Sequence, residues 1–238
     1  MPLAVPAVLV LLAFLFFWQP TTEMPFITAG DGAKIAYDWY EVKNPKGYLV
    51  LTHMMPATKE SWRAFAGFMR EWGYTSIAID LRGHGQSDGG PNGYQQFSDS
   101  EHQKGILDIQ AAVDFLKTKG AKPEQIILVG ASIGANLSLQ YVAQHSEFKK
   151  AVLLSAGLDY RGVKTETLAK QLGAGQGVAF VAAEDDGDTI KANQQLFGTI
   201  QKGVLAETIF YKTGGHGTAL LESHPDLKDK ILQFLNGH

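Results

Sequence analysis

The chain has 238 residues and a formal charge of −3 from 21 basic and 24 acidic side chains, with no long basic run to attract a polyanion, which argues against nucleic-acid binding. Cysteine is absent, so disulfides, thiolate metal sites and cysteine nucleophiles are excluded together, while the redox compartment is left open. Beyond an apolar opening segment, what remains is the size of one ordinary domain and can bury a substantial core.

The opening run PLAVPAVLVLLAFLFFW, Pro2 to Trp18, carries no charge and leads into the polar connector QPTTEMP. Its apolar length lies between that of a signal-peptide core and a full membrane span. No Lys or Arg precedes it, and no clear Ala-x-Ala site follows. Residues 1–20 are read as a signal or membrane anchor, and residues 24–238 as a domain exported or tethered at a membrane.

From Phe26 onward, short apolar runs alternate with helix-like stretches, the pattern of an α/β fold with a largely parallel sheet. FITAG and KIAYDWYEV flank the turn residues Asp31 and Gly32 and predict an antiparallel hairpin at a sheet edge. YLVLTHM, Tyr48 to Met54, is continuously apolar, as a strand buried on both faces should be. Trp62, Phe65, Phe68, Met69 and Trp72 then recur at helical spacing up to Gly73, an aromatic stripe expected to be core.

TSIAIDL predicts the next strand, and HQKGILDIQAAVDFLKTKG a helix with Ile106, Ile109, Val113 and Leu116 inward. Beyond it come the strand QIILVGA, the helix NLSLQYVAQH, the strand KAVLLSA and a short insert with one helix. The strand GVAFVAA, a helix around TIKANQQLFGTI and the strand AETIFYKT complete the sheet. A last helical stretch, LLESHPDLKDKILQFL, should break or restart at Pro225. The expectation is a three-layer αβα sandwich with a mostly parallel eight-stranded sheet.

Two segments fit Gly-x-Ser-x-Gly, GQSDG at 85–89 and GASIG at 130–134. A nucleophilic serine of this type stands on a sharp turn between a strand and a helix, where flanking glycines avoid collisions. GASIG lies between QIILV and a helical stretch, whereas GQSDG runs into the turn formers GGPNGYQQFSD. Ser132 is therefore the candidate nucleophile and Ser87 a loop residue. The helix beginning after Ser132 favours negative charge at that spot, and the Ile133 N–H is a candidate donor to an oxyanion.

A serine needs a base, and of 7 histidines His216 stands in KTGGHGTALL, on a glycine-rich loop directly after the last strand. His145, His224 and His238 fall in surface patterns, and His102 begins a helix where capping or a surface place suffices. His53 and His84 end strands at the same edge, on the wrong elements for the base. AFVAAEDDGD supplies the carboxylate to orient the imidazole: Asp186 is favoured, with Asp185 and Asp188 as alternatives. The spacing and closing glutamate of a calcium loop are missing from that cluster.

On VGASIG, GGHG and DLRGHGQSDG (Asp80 to Gly89), and on the chain order Ser132, Asp186, His216, the sequence resembles the α/β-hydrolase family from about Met24 onward. The resemblance implies structural roles for Arg82 and His84 and assigns GQSDG to a structural turn. It also implies that Met55 supplies a second oxyanion N–H, with Met54 in the position where the family has glycine after the His of its third strand. If that position requires a positive φ, Met54 should be strained.

Family members carry a cap between the sixth and seventh strands, and here only residues 157–176, GLDYRGVKTETLAKQLGAGQ, fill the gap. So small a cap implies an open site suited to short or medium acyl esters. Met54, Met55, Trp62 and Leu158 to Tyr160 are candidates to line it. The expected function is a serine carboxylesterase acting on a small-molecule ester without metal or organic cofactor. Its alternatives are an amide, peptide or thioester hydrolase with the same triad, or a catalytically silent membrane-tethered binding module. The serine itself argues against dehalogenase or epoxide-hydrolase chemistry, which the family runs from an aspartate.

Overall fold

The computed structural model describes residues 25–237, so the apolar segment at 1–20 and His238 lie outside the described residues. The chain opens with strands β1 (Phe26–Thr28), β2 (Lys34–Tyr40) and β3 (Gly47–Thr52), helix α1 (Arg63–Glu71) and strand β4 (Tyr74–Ile79). Helices α2 (Asp99–Gln103) and α3 (Gly105–Thr118) lead to β5 (Ile126–Ala131), α4 (Ile133–Gln144) and β6 (Lys150–Leu154). The insert holds β7 (Asp159–Tyr160), β8 (Val163–Lys164) and α5 (Thr165–Gln171). The chain then runs through β9 (Gly177–Ala183), α6 (Thr189–Thr199), β10 (Leu205–Tyr211), α7 (Ala219–Ser223) and α8 (Asp226–Asn236).

Eight strands form one sheet in the order β1-β2-β4-β3-β5-β6-β9-β10, antiparallel only at the β1–β2 and β2–β4 pairs. Every residue of β3, β4, β5 and β9 is buried, so their continuous apolar runs serve both faces of the sheet. Alternate side chains go to opposite layers. Leu49 and Leu51 pack with α1 and α8, while Val50 between them joins the core under α3 and α4. The expected three-layer αβα sandwich is the observed architecture. Among the described residues no helix is long and apolar enough to cross a membrane.

Several local expectations are corrected. Trp62, Phe65 and Met69 are fully buried, but Trp72 caps the C-terminus of α1 and is 47% exposed, because the helix ends before its next inward turn. The helix expected from His102 is split. A short α2 starts earlier, capped reciprocally by Ser98 and Glu101, and α3 restarts at Gly105. His102 is buried rather than superficial, with Phe97 packed edge-on against it. The insert contains the β7–β8 hairpin in addition to its one helix. Pro225 does separate two helices, α7 and α8.

The segment after β4 is braced by buried charge. Lys59 and Asp80 are fully buried, and the Lys59 ammonium donates to Asp80 at 3.0 Å, to Gln86 at 2.8 Å and to Glu60 at 2.8 Å. Burial opposes the Lys59 charge, but Glu60 and Asp80 outweigh it and hold the group above its ordinary value. A Cβ at Gly85, whose φ is +50°, would overlap the Asp80 carboxylate. Ser87 Oγ donates to the Asp80 carbonyl at 2.6 Å and accepts from the Ala36 N–H at 2.9 Å. Its hydroxyl thus stitches the loop to β2, which is the structural role expected of GQSDG.

Removing one member of this network leaves its partner charged in a dry interior. Asp80→Ala is expected to lower folding stability by about 3 to 5 kcal/mol. Chemical denaturation checks this, and a loss below about 1 kcal/mol would mean that Glu60 and Gln86 alone satisfy Lys59.

Candidate active site

The site is assembled from loops at the carboxyl ends of β3, β5, β6, β9 and β10. Ser132 stands between β5 and α4 with φ 55° and ψ −120°. That left-handed backbone is costly for a residue with a side chain and persists only where its surroundings enforce it. A Cβ on Gly130 would overlap the Gly134 carbonyl, and one on Gly134 would overlap the Thr52 carbonyl. The two glycines therefore let the turn and the end of β3 meet backbone to backbone. The Ser132 N–H donates to Leu154 of β6 at 2.8 Å, and the Ile133 N–H opens α4 without an intrahelical partner.

Asp186, in the turn after β9, and His216, on the loop after β10, face each other. The His216 Nδ1–H donates to the Asp186 carboxylate, with oxygens at 2.8 and 2.9 Å. Burial pushes the Asp186 carboxyl up, but hydrogen bonds from His216 and Ser155 and the His216 charge outweigh it, so the group lies below its ordinary value and stays ionised. Asp185 takes a different place. Its two oxygens accept the Gly214 and Gly215 N–H groups at 3.1 Å each, which anchors the loop that carries His216. Asp188 is exposed and pairs with Lys191 at 2.9 Å.

Other contacts brace the same loop. His224, expected on the surface, is partly buried, stacks on Tyr211 with ring centroids 3.7 Å apart and bonds the Thr213 carbonyl at 2.6 Å. At the end of α4, away from that role, His145 is also partly buried and stacks on Tyr141 at 4.4 Å. The Gly217 N–H donates to Ser155 Oγ at 2.9 Å, and Ser155 itself is fully buried with φ 53°. Sequence reasoning missed Ser155, although a serine at the end of the apolar run KAVLLSA needs a buried partner and so carried a signal.

No hydrogen bond joins Ser132 to His216. Tyr160 of the insert hairpin neighbours both, its ring edge-on to His216 with centroids 6.3 Å apart. Burial pushes the Tyr160 phenol up, the Asp186 charge adds to this, and the nearby Ser132 hydroxyl holds the shift back. The phenol is therefore a neutral group beside the serine. Catalytic contacts commonly tighten only when substrate is bound.

Met54 does not adopt a left-handed φ, so the strain expected from a side chain in the glycine position is absent. Its sulfur packs where a Cβ on Gly217 would stand. Met55 is partly buried against the core under α3 and α4. Trp62 is fully buried in the core under α1 and α8.

His53 accepts the Leu81 N–H at Nε2, 2.9 Å away, and donates from Nδ1 to the Met54 carbonyl at 2.9 Å. It braces the edge and is not free to act as base. His84 lies edge-on to it at 4.9 Å and stacks on Tyr94 at 4.2 Å. Arg82 clamps Asp108 and Asp31, with its closest contacts to each at 2.6 Å. Among the described residues, no group of three or more His, Cys, Asp or Glu is placed to hold a metal ion.

Residues 43–194 match the protein family described as serine aminopeptidase, S33. Among curated relatives, a non-heme haloperoxidase of Rhodococcus erythropolis is 33% identical over 56% of this chain and 44% of its own. A bifunctional esterase/perhydrolase of Acinetobacter calcoaceticus is 32% identical over 56% of this chain and 45% of its own. The chain thus spans less than half the length of these relatives in the matched region. Among solved structures, a Pyrococcus furiosus esterase superposes with a TM-score of 0.72 at 18% identity, covering 90% of this chain and 91% of that one.

Burial pushes His53 down to about 4, with the neighbouring His84 adding to the effect, and burial likewise lowers His84 and His102. These rings bind protons more weakly folded than unfolded. Their contribution to stability is therefore complete above the ordinary histidine value of about 6.5 and is lost as pH falls below it, for His53 as pH passes about 4. The thermal midpoint should fall across that window, and less steeply in His102→Gln; equal slopes for the two proteins would remove His102 from the account.

Proposed function

The chain belongs to the serine aminopeptidase S33 family of α/β hydrolases, and from that premise we propose that it is a serine carboxylesterase for short or medium acyl esters. The observation that carries this reading is the Asp186–His216 pair, hydrogen-bonded at 2.8 Å on loops beside the strained Ser132 turn. In the proposed cycle Ser132 Oγ attacks the ester carbonyl as His216 Nε2 takes its proton. Asp186 holds the ring in the Nδ1–H tautomer and offsets the imidazolium charge.

The Ile133 and Met55 N–H groups then donate to the oxyanion. Collapse of the tetrahedral intermediate breaks the bond to the alcohol, which leaves with the proton from His216. Water, deprotonated by His216, attacks the acyl-enzyme and releases the acid. The cycle requires no metal or organic cofactor.

An amide or peptide bond is the second reading, because the matched family is described as an aminopeptidase and a triad does not by itself discriminate leaving groups. A silent binding module would have no need of a serine held in a strained backbone opposite a paired His and Asp. The apolar segment at 2–18 fits an exported or membrane-tethered enzyme. Deleting residues 1–20 should abolish membrane partitioning or export, and unchanged behaviour would remove that part of the reading.

A fluorophosphonate probe should label Ser132 in the wild type and not in Ser132→Ala, as peptide mapping would reveal. Asp186→Asn should reduce kcat on 4-nitrophenyl acetate by roughly 10³ to 10⁴. Asp185→Asn, which loosens only the loop, should cost about tenfold or less. A folded wild type that takes no label would overturn the esterase reading, and reversed effects of the two aspartates would reassign the acid.

A further inference from the structure

The insert hairpin is built into the nucleophile's own helix. Asn136 lies on α4 and is fully buried. Its Oδ1 accepts the Gly157 N–H at 3.1 Å and its Nδ2 donates to the Val163 carbonyl at 3.0 Å, so one side chain holds both the approach to the hairpin and its second strand. The Thr165 hydroxyl adds a bond to the Gly157 carbonyl at 2.6 Å, and Tyr160 pairs with Val163 across the ribbon.

Between those two points the Tyr160 ring folds back over Gly157. A Cβ on Gly157 would come within 2.6 Å of it, so this close approach depends on the glycine. Tyr160 has Ser132 and His216 as neighbours. It also lines a cavity of about 740 Å³ between the hairpin and α6, whose walls combine Leu158 and Ala192 with Asp159, Asp186 and the exposed Asp188 and Lys191. Ser132 and His216 do not line that cavity.

Building on the esterase reading, we propose that Tyr160 is the residue that determines acyl-chain length, its ring forming the partition between Ser132 and this cavity. A two-carbon acyl group fits beside Ser132 without entering the cavity. A longer chain has to cover its methylenes, and beyond the ring Leu158 and Ala192 supply the apolar part of the cavity wall, with the charged side chains at its exposed rim. The Asn136 clamp fixes the partition to the helix that carries Ser132, so the ring does not drift with the rest of the insert. The Tyr160 hydroxyl is not what excludes the chain; the ring is.

The test compares kcat/KM for 4-nitrophenyl octanoate and 4-nitrophenyl acetate in the wild type, Tyr160→Phe, Tyr160→Leu and Tyr160→Ala. The octanoate-to-acetate ratio should rise by about tenfold or more in the Ala and Leu variants, the worth of one or two newly buried methylenes. It should stay within about twofold of wild type in Tyr160→Phe, which keeps the ring. Should Tyr160→Ala fail to fold, Tyr160→Leu decides, since it retains much of the apolar volume. An unchanged ratio in variants whose Ser132 still takes the fluorophosphonate label would overturn the proposal, as would a rise in Tyr160→Phe equal to that in Tyr160→Leu. A wild type that neither hydrolyses the esters nor labels at Ser132 would instead overturn the esterase reading and this inference with it.

Discussion

The meeting of two backbones, the end of β3 and the start of α4, is the constraint on which the rest of the site depends. Gly130 and Gly134 lack side chains at the points where a Cβ would enter the Gly134 carbonyl or the Thr52 and His53 carbonyls. Only with that contact made can Ser132 be held at φ 55°, a conformation costing about 1 to 3 kcal/mol that neighbouring packing must offset. The same contact sets the distance from the serine to the loop after β3, where Met54 and Met55 lie. Moving the helix outward by one methyl group would shift the serine relative to every other loop at this edge.

Buried electrostatics then fix the sheet edge without touching the reacting groups. Lys59 and Asp80 are both fully buried, and Arg82 spans Asp108 and Asp31. Such groups are costly to desolvate and retain a place only when each charge finds its partners. The exposed pair of Lys191 with Asp188, at 82% and 86% exposure, does little by comparison. The histidines of this edge are neutral members of the scaffold, one accepting the Leu81 N–H and one stacked on Tyr94. That explains why a histidine can stand at the site's rim and still not be its base.

The parts legible in the sequence were those with a local signature. Continuous apolar runs marked the buried strands, and the element on either side separated GASIG from GQSDG. A glycine-rich loop after the last strand singled out His216. The aspartate that pairs with His216 was legible only to within a residue, because Asp185 and Asp186 occupy one turn and their directions depend on where β10 brings the opposing loop. Long-range contacts left still less trace. His102 looks like a helix-start residue until Phe97 covers it, and the strands of the β7–β8 ribbon are two residues each, too short for any period. Asn136 owes its role to a hairpin more than twenty positions away.

These contacts divide the site into two rigid parts. Ser132, α4 and the insert hairpin form one, joined by Asn136. His216 and Asp186 form the other, with their loops tied by Asp185, Ser155 and His224. Each of these ties pairs a donor with an acceptor, so moving one loop alone breaks hydrogen bonds. The two parts face each other between Ser132 and His216, where no hydrogen bond is formed and the neutral Tyr160 phenol neighbours both side chains. No such tie constrains the approach of Ser132 to His216. A bound ligand can act on that approach directly, because neither side chain gives up a hydrogen bond to the other when it moves.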